Sequence, residues 1–374
     1  MKRRTFITGT GALCLTGAGF RPANAADDAQ QAYISCGADR SGNFLAAAFD
    51  GTGRIVFSIP LPERGHDIVV HPGGNTAIIV ARRPGTSFSV LDLRDGRQVR
   101  RIATRADRHL YGHGAFSPDG TRFYTTENDC DSGIGAIGVY DARNDYRRIG
   151  EFPSCGVGPH QLSISPDGNT LTVANGGIRT HPDTGRSKLN TRSMKPNVAF
   201  LDTRSGKATG SVDLSETHHK LSIRHFDTNA DGMQVFGMQF EGDKRRPVPL
   251  VALLTTDRAF RFLTAPPETL RRMQQYVGSV RFDRSGRYVA TSCPRGNMVV
   301  IWNAETGAFL RAVTAPDASG LAATSRTGEF LVTSGTGSLS VIGPAREEPR
   351  VVKREDAGLH WDNHTRAIGP LRNI

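Results

Sequence analysis

The chain has 374 residues, 37% of them apolar and 7% aromatic, with 47 Lys and Arg against 36 Asp and Glu, for a formal charge of +11 at pH 7. That length admits two or three average domains or one large β-barrel or propeller, so internal repeats must decide between them. The arginines are scattered and no basic run is interleaved with aromatics, which argues against a nucleic-acid partner and for a solvated, arginine-rich surface.

Residues 1–25, MKRRTFITGTGALCLTGAGFRPANA, combine a basic start, a short run rich in Gly and Thr, and a small-x-small site at Ala23 and Ala25, the features of a cleaved export signal. Arg3 and Arg4 followed by Thr-Phe-Ile resemble a twin-arginine signal, a type that exports folded proteins. The run is too short and too polar to span a bilayer, and Leu13 is too large for a lipobox before Cys14. The expectation is a periplasmic protein over 26–374, with no integral membrane segment after processing. Loss of Lys2, Arg3, Arg4 and Arg21, with no acid among those residues, leaves +7.

Beyond Ala32 there is no long helical periodicity. Short β-branched runs alternate with Gly, Asp, Asn and Pro. A turn ending in glycine recurs as HPGG (Gly74), SPDG (Gly120 and Gly168), NADG (Gly232), DRSG (Gly286) and SRTG (Gly328), spaced by 42 to 64 residues. This is near the period of propeller blades. Each turn is followed by a strand such as TAIIVAR or NTLTVAN and then by a hairpin such as VAFLDTRSGKATGSVDL. The unit is therefore a four-stranded blade that can bury its faces only by stacking on its neighbours. The opening segment AYISCGADRSGNFLAAAFDGTGRIVFSIPL supplies three strands, and the tail GLHWDNHTRAI supplies the missing one. The predicted fold is all-β: one seven-bladed β-propeller domain, its ring closed by the N- and C-terminal strands, which hides both terminal edges.

This frame places residues at the start of each blade's first strand around the central channel. His66, His113, His160 and His225 stand seven or eight residues before their turn glycines, and His360 in the tail is the expected fifth. The other two blades have Gly278 or Ser279 and Ser319 or Gly320 there. Neutral imidazole is a good ligand for iron, copper and zinc, so these five are candidate metal ligands. A structural role is the competing reading, because WD-type propellers use a Gly-His pair inside the blade and GH occurs at Gly65-His66 and Gly112-His113.

Loops on the same face carry the candidate ligand-binding residues Glu127, Asp129, His181, Arg186 and Arg224. Arg179, Arg186 and Lys188 beside the NGG turn suit a carboxylate or phosphate, or else a solvated loop. Cys36, Cys130, Cys155 and Cys293 remain after processing and fall on this end too. Their alternatives are a disulfide between Cys130 and Cys155, unpaired buried thiols, or metal ligation. Asp141, Asp202 and Asn303 end recurring strands as turn formers, and SGTGS at Ser334 to Ser338 reads as a hairpin with no following helix for a nucleotide. No Ser-His-Asp arrangement is apparent.

The stretches GHGAFSPDG, TTENDCDSGIGAIGVYD, RRIGEFPSCGVGPHQL, VANGGIRTHPDTGRSKLN and LSIRHF together resemble the exported propeller family known as domain of unknown function 1513. The resemblance spans the whole mature chain. Where that family usually has a His in the EFPS-H-G-x-GPH segment, this chain has Cys155, which would alter a site built there. The resemblance implies a role in periplasmic iron handling, beside imelysin-like and di-haem peroxidase-like partners, and it implies no mechanism.

The sequence thus points to a propeller that binds a metal, a metal complex or a small anionic ligand at a histidine-rich face, with iron or copper as the expected cofactor. Two alternatives stand beside it. One is an enzyme, either a lactonase-like hydrolase or a metal-dependent oxidoreductase, which would need a base in reach of substrate and usually a water-activating ion. The other is a protein-interaction scaffold without chemistry.

Overall fold

The computed structural model describes residues 30–185, 187–353 and 358–369. The expected export signal and Arg186 lie outside the described residues. The described chain folds into seven four-stranded sheets, interrupted only by the short helix Pro267–Arg272 and three single 3₁₀ turns. No described helix is long and apolar enough to cross a membrane.

Six blades take their four strands consecutively. The first blade has the order Leu359–Ile368, Ala32–Asp39, Phe44–Asp50, Ile55–Pro60, so that the tail strand is innermost. Ala32 lies opposite Ile368 and Ser35 opposite Thr365 in this antiparallel closure. The ring is the seven-bladed one expected, sealed by the two ends of the chain.

Local chemistry explains why each first hairpin turns where it does. In SPDG at Ser117–Gly120, the Gly120 N–H donates to the Ser117 carbonyl at 2.8 Å, and Asp119 Oδ1 accepts from the Thr121 N–H at 3.0 Å. Gly120 has a φ of +69°, a region open to glycine without steric cost. The five equivalent glycines share that positive φ.

Inner and middle strands are buried, whereas the outermost strand of the second blade, Arg97–Ala103, is exposed along most of its length. The apolar core is accordingly a series of wedges between blades. In one, Ile78, Val80 and Phe88 of the second blade meet Leu110, Phe123 and Tyr140 of the third. In another, Phe49 and Tyr33 of the first meet Leu331 and Val341 of the seventh. Rigid wedges of this kind fix the inner strands around the axis, where the candidate site lies.

Candidate metal centre

Five histidines from five blades meet on the channel axis: His66, His113, His160, His225 and His364. Each is at most 4% exposed. Ring centroids of successive members, in the circuit His66, His113, His160, His225, His364 and back to His66, lie 4.7 to 4.9 Å apart. His225 and His364 come from blades separated by the two that lack a histidine, so their contact at 4.7 Å closes the circuit across the axis.

The backbone feature that aims these rings inward is a β-bulge in each inner strand. On Gly65–Val70, Gly65 pairs with Ala81 and Asp67 with Val80, which leaves His66 as the extra residue. His160 is likewise extra between Pro159 and Gln161. Register also shifts between Leu110 and Gly114 around His113, between Ile223 and His225, where Arg224 is the extra residue and His225 pairs with Gly237, and opposite Ser35 and Gly37 around His364. A bulge breaks the strict alternation of a strand and re-aims the side chain at that point.

His360, the expected fifth ligand, is exposed and donates from Nδ1 to the Gly335 carbonyl at 2.7 Å. Alternation along the tail strand and its bulge give the axial position to His364, four residues further on. Of the expected site residues, the structure brings His66, His113, His160 and His225 together, with Arg224 lining the cavity beside them. Glu127 lies elsewhere, buried and bonded to Thr125, Tyr140 and Arg148. Asp129 pairs with Arg108 at 2.6 Å. His181 caps the 3₁₀ turn Pro182–Thr184 through Nδ1. All four described cysteines are free thiols, so Cys130 and Cys155 form no disulfide. Cys36 and Cys293 are buried, and burial pushes both thiols upward in pKa, away from the thiolate a metal requires.

Several ring nitrogens have no protein partner: Nδ1 of His66 and His225, Nε2 of His113 and His364, and both nitrogens of His160. Buried polar atoms are normally satisfied by protein, water or a bound group, so this concentration of unpaired nitrogens on one axis marks it as a candidate ligand site. Two triads, His66–His113–His160 and His113–His225–His364, each offer three nitrogens within 4.8 Å of one another. The centre of an equilateral triangle of that side lies about 2.8 Å from its corners, roughly 0.7 Å beyond a normal metal–imidazole bond. Small rotations of the rings would close that gap.

Electrostatics keeps the rings in their ligating form. Burial pushes His66, His160 and His225 well below the ordinary imidazole range, reinforced by neighbouring histidines and arginines. Burial likewise takes His364 down to about 3. His113 is lowered by burial as well, although Asp67 opposes the shift. Its Nδ1–H donates to Asp67 Oδ2 at 3.1 Å, which leaves Nε2 as the lone-pair nitrogen facing the cluster. Burial works against the charge on Asp67, but Arg366, at 2.7 Å from Oδ1, and His113 outweigh it and hold the carboxyl well below its usual range. A carboxylate behind an imidazole is the common second layer of metal sites, because it fixes tautomer and orientation. Sequence spacing gave no sign of Asp67 or of His364.

Above the cluster a cavity of about 850 Å³ opens at the channel mouth, with His66, His160, His225, Arg83 and Tyr111 among its lining residues. Arg83 is 7% exposed, its guanidinium carbon 5.5 Å from the Tyr111 ring centroid. Tyr111 is anchored in turn through Thr180 at 3.1 Å.

The fold occurs widely. A Kuenenia stuttgartiensis hydrazine synthase chain is 16% identical, with a TM-score of 0.61 over 82% of this chain and 94% of that one. The Cps50 (Swd1) β-propeller domain of Myceliophteria thermophila is 12% identical, with a TM-score of 0.59 over 82% of this chain and 95% of that one. At such identities the likeness is one of fold alone. No curated protein matches the sequence. The model of one family, described as proteins of unknown function, matches residues 59–368, and the chain belongs to that family, DUF1513.

Proposed function

We propose that this propeller binds a transition-metal ion on its axis through the buried histidines, with iron first and copper second among the candidates, and serves metal handling outside the cytoplasm. The observation that carries the reading is the set of unpaired imidazole nitrogens from five blades, arranged as two triads that share His113, each with its nitrogens within 4.8 Å of one another. Neutral nitrogen donors without thiolate or carboxylate in either triad suit iron, copper, nickel or zinc and do not suit calcium or magnesium. The preference for iron rests on the family resemblance, and the extracytoplasmic setting on the leader sequence.

The scaffold reading is less favoured because the histidine-bearing face is concave, with a deep cavity, where a protein-docking face would be broad and flat. A purely structural role for the histidines leaves their orphaned nitrogens unexplained.

The test is metal content after purification and after loading with ferrous or cupric ion, for the wild type and for His160→Ala and His225→Ala. Near-stoichiometric metal that is lost in both variants supports the reading. A wild-type protein that takes up neither ion, with both variants as stable as wild type, overturns it.

A further inference from the structure

We propose that the metal is taken up as an anionic complex with an oxygen-donor chelator, which the arginines of the cavity hold above the histidines. The inference rests on the metal reading and adds the class of its ligand.

The first support is charge. Seven cationic side chains, six of them arginines, line the cavity against three carboxylates. Lys188 is paired from outside with Glu241 at 2.5 Å, and the other lining cations are all arginines, which stay charged near neutral pH. Asp362 is engaged by Arg64 at 2.6 Å and lies 3.9 Å from Arg82, so it presents no free negative charge. A cleft lined by one sign of charge, with low-dielectric walls, repels a bare divalent cation and concentrates anions.

The second support is Arg83. It is buried, it lines the cavity, and its Nη1 has no partner. A buried donor left unsatisfied is costly, and the planar guanidinium fork matches the paired oxygens of a carboxylate or phosphate. An oxyanion entering the cavity would give Arg83 the acceptor it lacks, while the unpaired imidazole nitrogens of His66, His160 and His225 in the same cavity remain for the metal.

The third is room. A hydrated ion with six waters needs about 180 Å³ at roughly 30 Å³ per water, whereas the cavity offers about 850 Å³. In the seventh blade the lining residue nearest the axial position is Ser319, a small side chain where five other blades have imidazole, so the bulk of a chelator fits on that side while imidazoles fill the metal's remaining positions. Oxygen and nitrogen donors are exchanged, and no electrons are transferred.

Titration calorimetry on the whole folded protein tests this with cobalt(II) alone, citrate alone, pyrophosphate alone, and cobalt(II) with each chelator. At least one complex should bind tenfold or more tightly than free cobalt(II), and the better chelator tells carboxylate from phosphate. Arg83→Gln should weaken binding of that complex at least tenfold without weakening free cobalt(II). Arg295→Gln, at an exposed lining residue stacked over Tyr276 at 4.6 Å, should weaken it in the same direction and guards against misfolding of the first variant. If cobalt(II) binds alone and neither chelator nor either variant changes its affinity, this inference fails and the metal reading stands. If citrate or pyrophosphate binds through Arg83 but cobalt(II) binds in no form and ferrous and cupric ions are not taken up either, the metal reading fails and takes this inference with it.

Discussion

His113 Nδ1 and Asp67 Oδ2 lie 3.1 Å apart, both side chains essentially inaccessible to solvent. The same carboxylate accepts from Arg366 at 2.7 Å and from the Ile68 N–H at 2.9 Å through its other oxygen, so both oxygens are engaged by donors. Asp67→Asn would turn an amide N–H toward at least one of these donors. The expected result is a 10- to 100-fold loss of metal affinity, the usual effect of removing an outer partner from a ligating histidine. Stability should fall by about 1 to 2 kcal/mol, because a charge-assisted hydrogen bond to the half-buried Arg366 is lost. Metal titration and denaturant unfolding of the variant measure the two effects separately.

The pH dependence follows from the depressed histidines. Above about pH 6.5 folded and unfolded chains both hold neutral imidazoles, so these groups do not affect stability. Below it the unfolded chain takes up protons that the buried rings refuse, down to about pH 3 in the case of His364. Stability must therefore fall as pH drops, by about 2 kcal/mol per fully buried histidine at pH 5. Thermal unfolding at pH 7.5, 6 and 5 should show a steep decline in Tm. A flat profile would mean that the rings do not stay neutral.

The tail strand offers a paired comparison. His364→Ala removes a member of one triad and should cut metal occupancy and affinity at least tenfold. His360→Ala removes one exposed hydrogen bond to Gly335 and should change metal affinity less than twofold and stability by under about 1 kcal/mol. Equal effects of the two substitutions on metal binding would place the site on the outer face of the tail, away from the axis.

That comparison also marks where the sequence stops being informative. Turn glycines at Gly74, Gly120, Gly168, Gly232, Gly286 and Gly328 encode their own backbone conformation, so blade number and strand order could be read from local chemistry. Four axial histidines were legible because they keep register with those turns. His364 was not, since the tail has no turn glycine to count from and its bulge between the partners of Ser35 and Gly37 shifts the inward position by four residues. Asp67 follows His66 directly, so an alternating strand would send the two side chains to opposite sides. Only the bulge at His66 and the approach of the third blade explain how Asp67 reaches His113. Glu127 and Asp129 look functional by composition, yet their partners Arg148 and Arg108 lie about 20 residues away in sequence and become visible only in the folded blade.

Glu127 is accordingly a stability residue. Its Oε1 accepts from Thr125 at 2.7 Å, Arg148 at 2.8 Å and Tyr140 at 2.9 Å, and the side chain is fully buried. Glu127→Gln weakens the ion pair inside the third blade and should cost about 3 kcal/mol, although Glu151, 2.7 Å from Arg148, moderates the loss. Metal affinity should be unchanged at temperatures where the variant is folded. A metal defect in folded Glu127→Gln would return this residue to the site.

The final prediction concerns ring closure. Leu359–Ile368 is the innermost strand of the first blade and carries His364 on the axis and Trp361 into the wedge against Phe49, ring centroids 5.0 Å apart. Deleting residues 359–374 exposes the edge of Ala32–Asp39 and opens the wedge between the first and seventh blades. The first blade is then three-stranded, and its newly unpaired inner edge is a template for aggregation. Since the blades bury their faces only on one another, loss at one junction removes support from the whole ring. The truncated chain should therefore fail to show a cooperative thermal transition and should aggregate. Supplying the strand as a separate peptide should restore solubility if closure is what the tail provides; a monomeric truncated chain with an unchanged Tm would show that the ring holds without it.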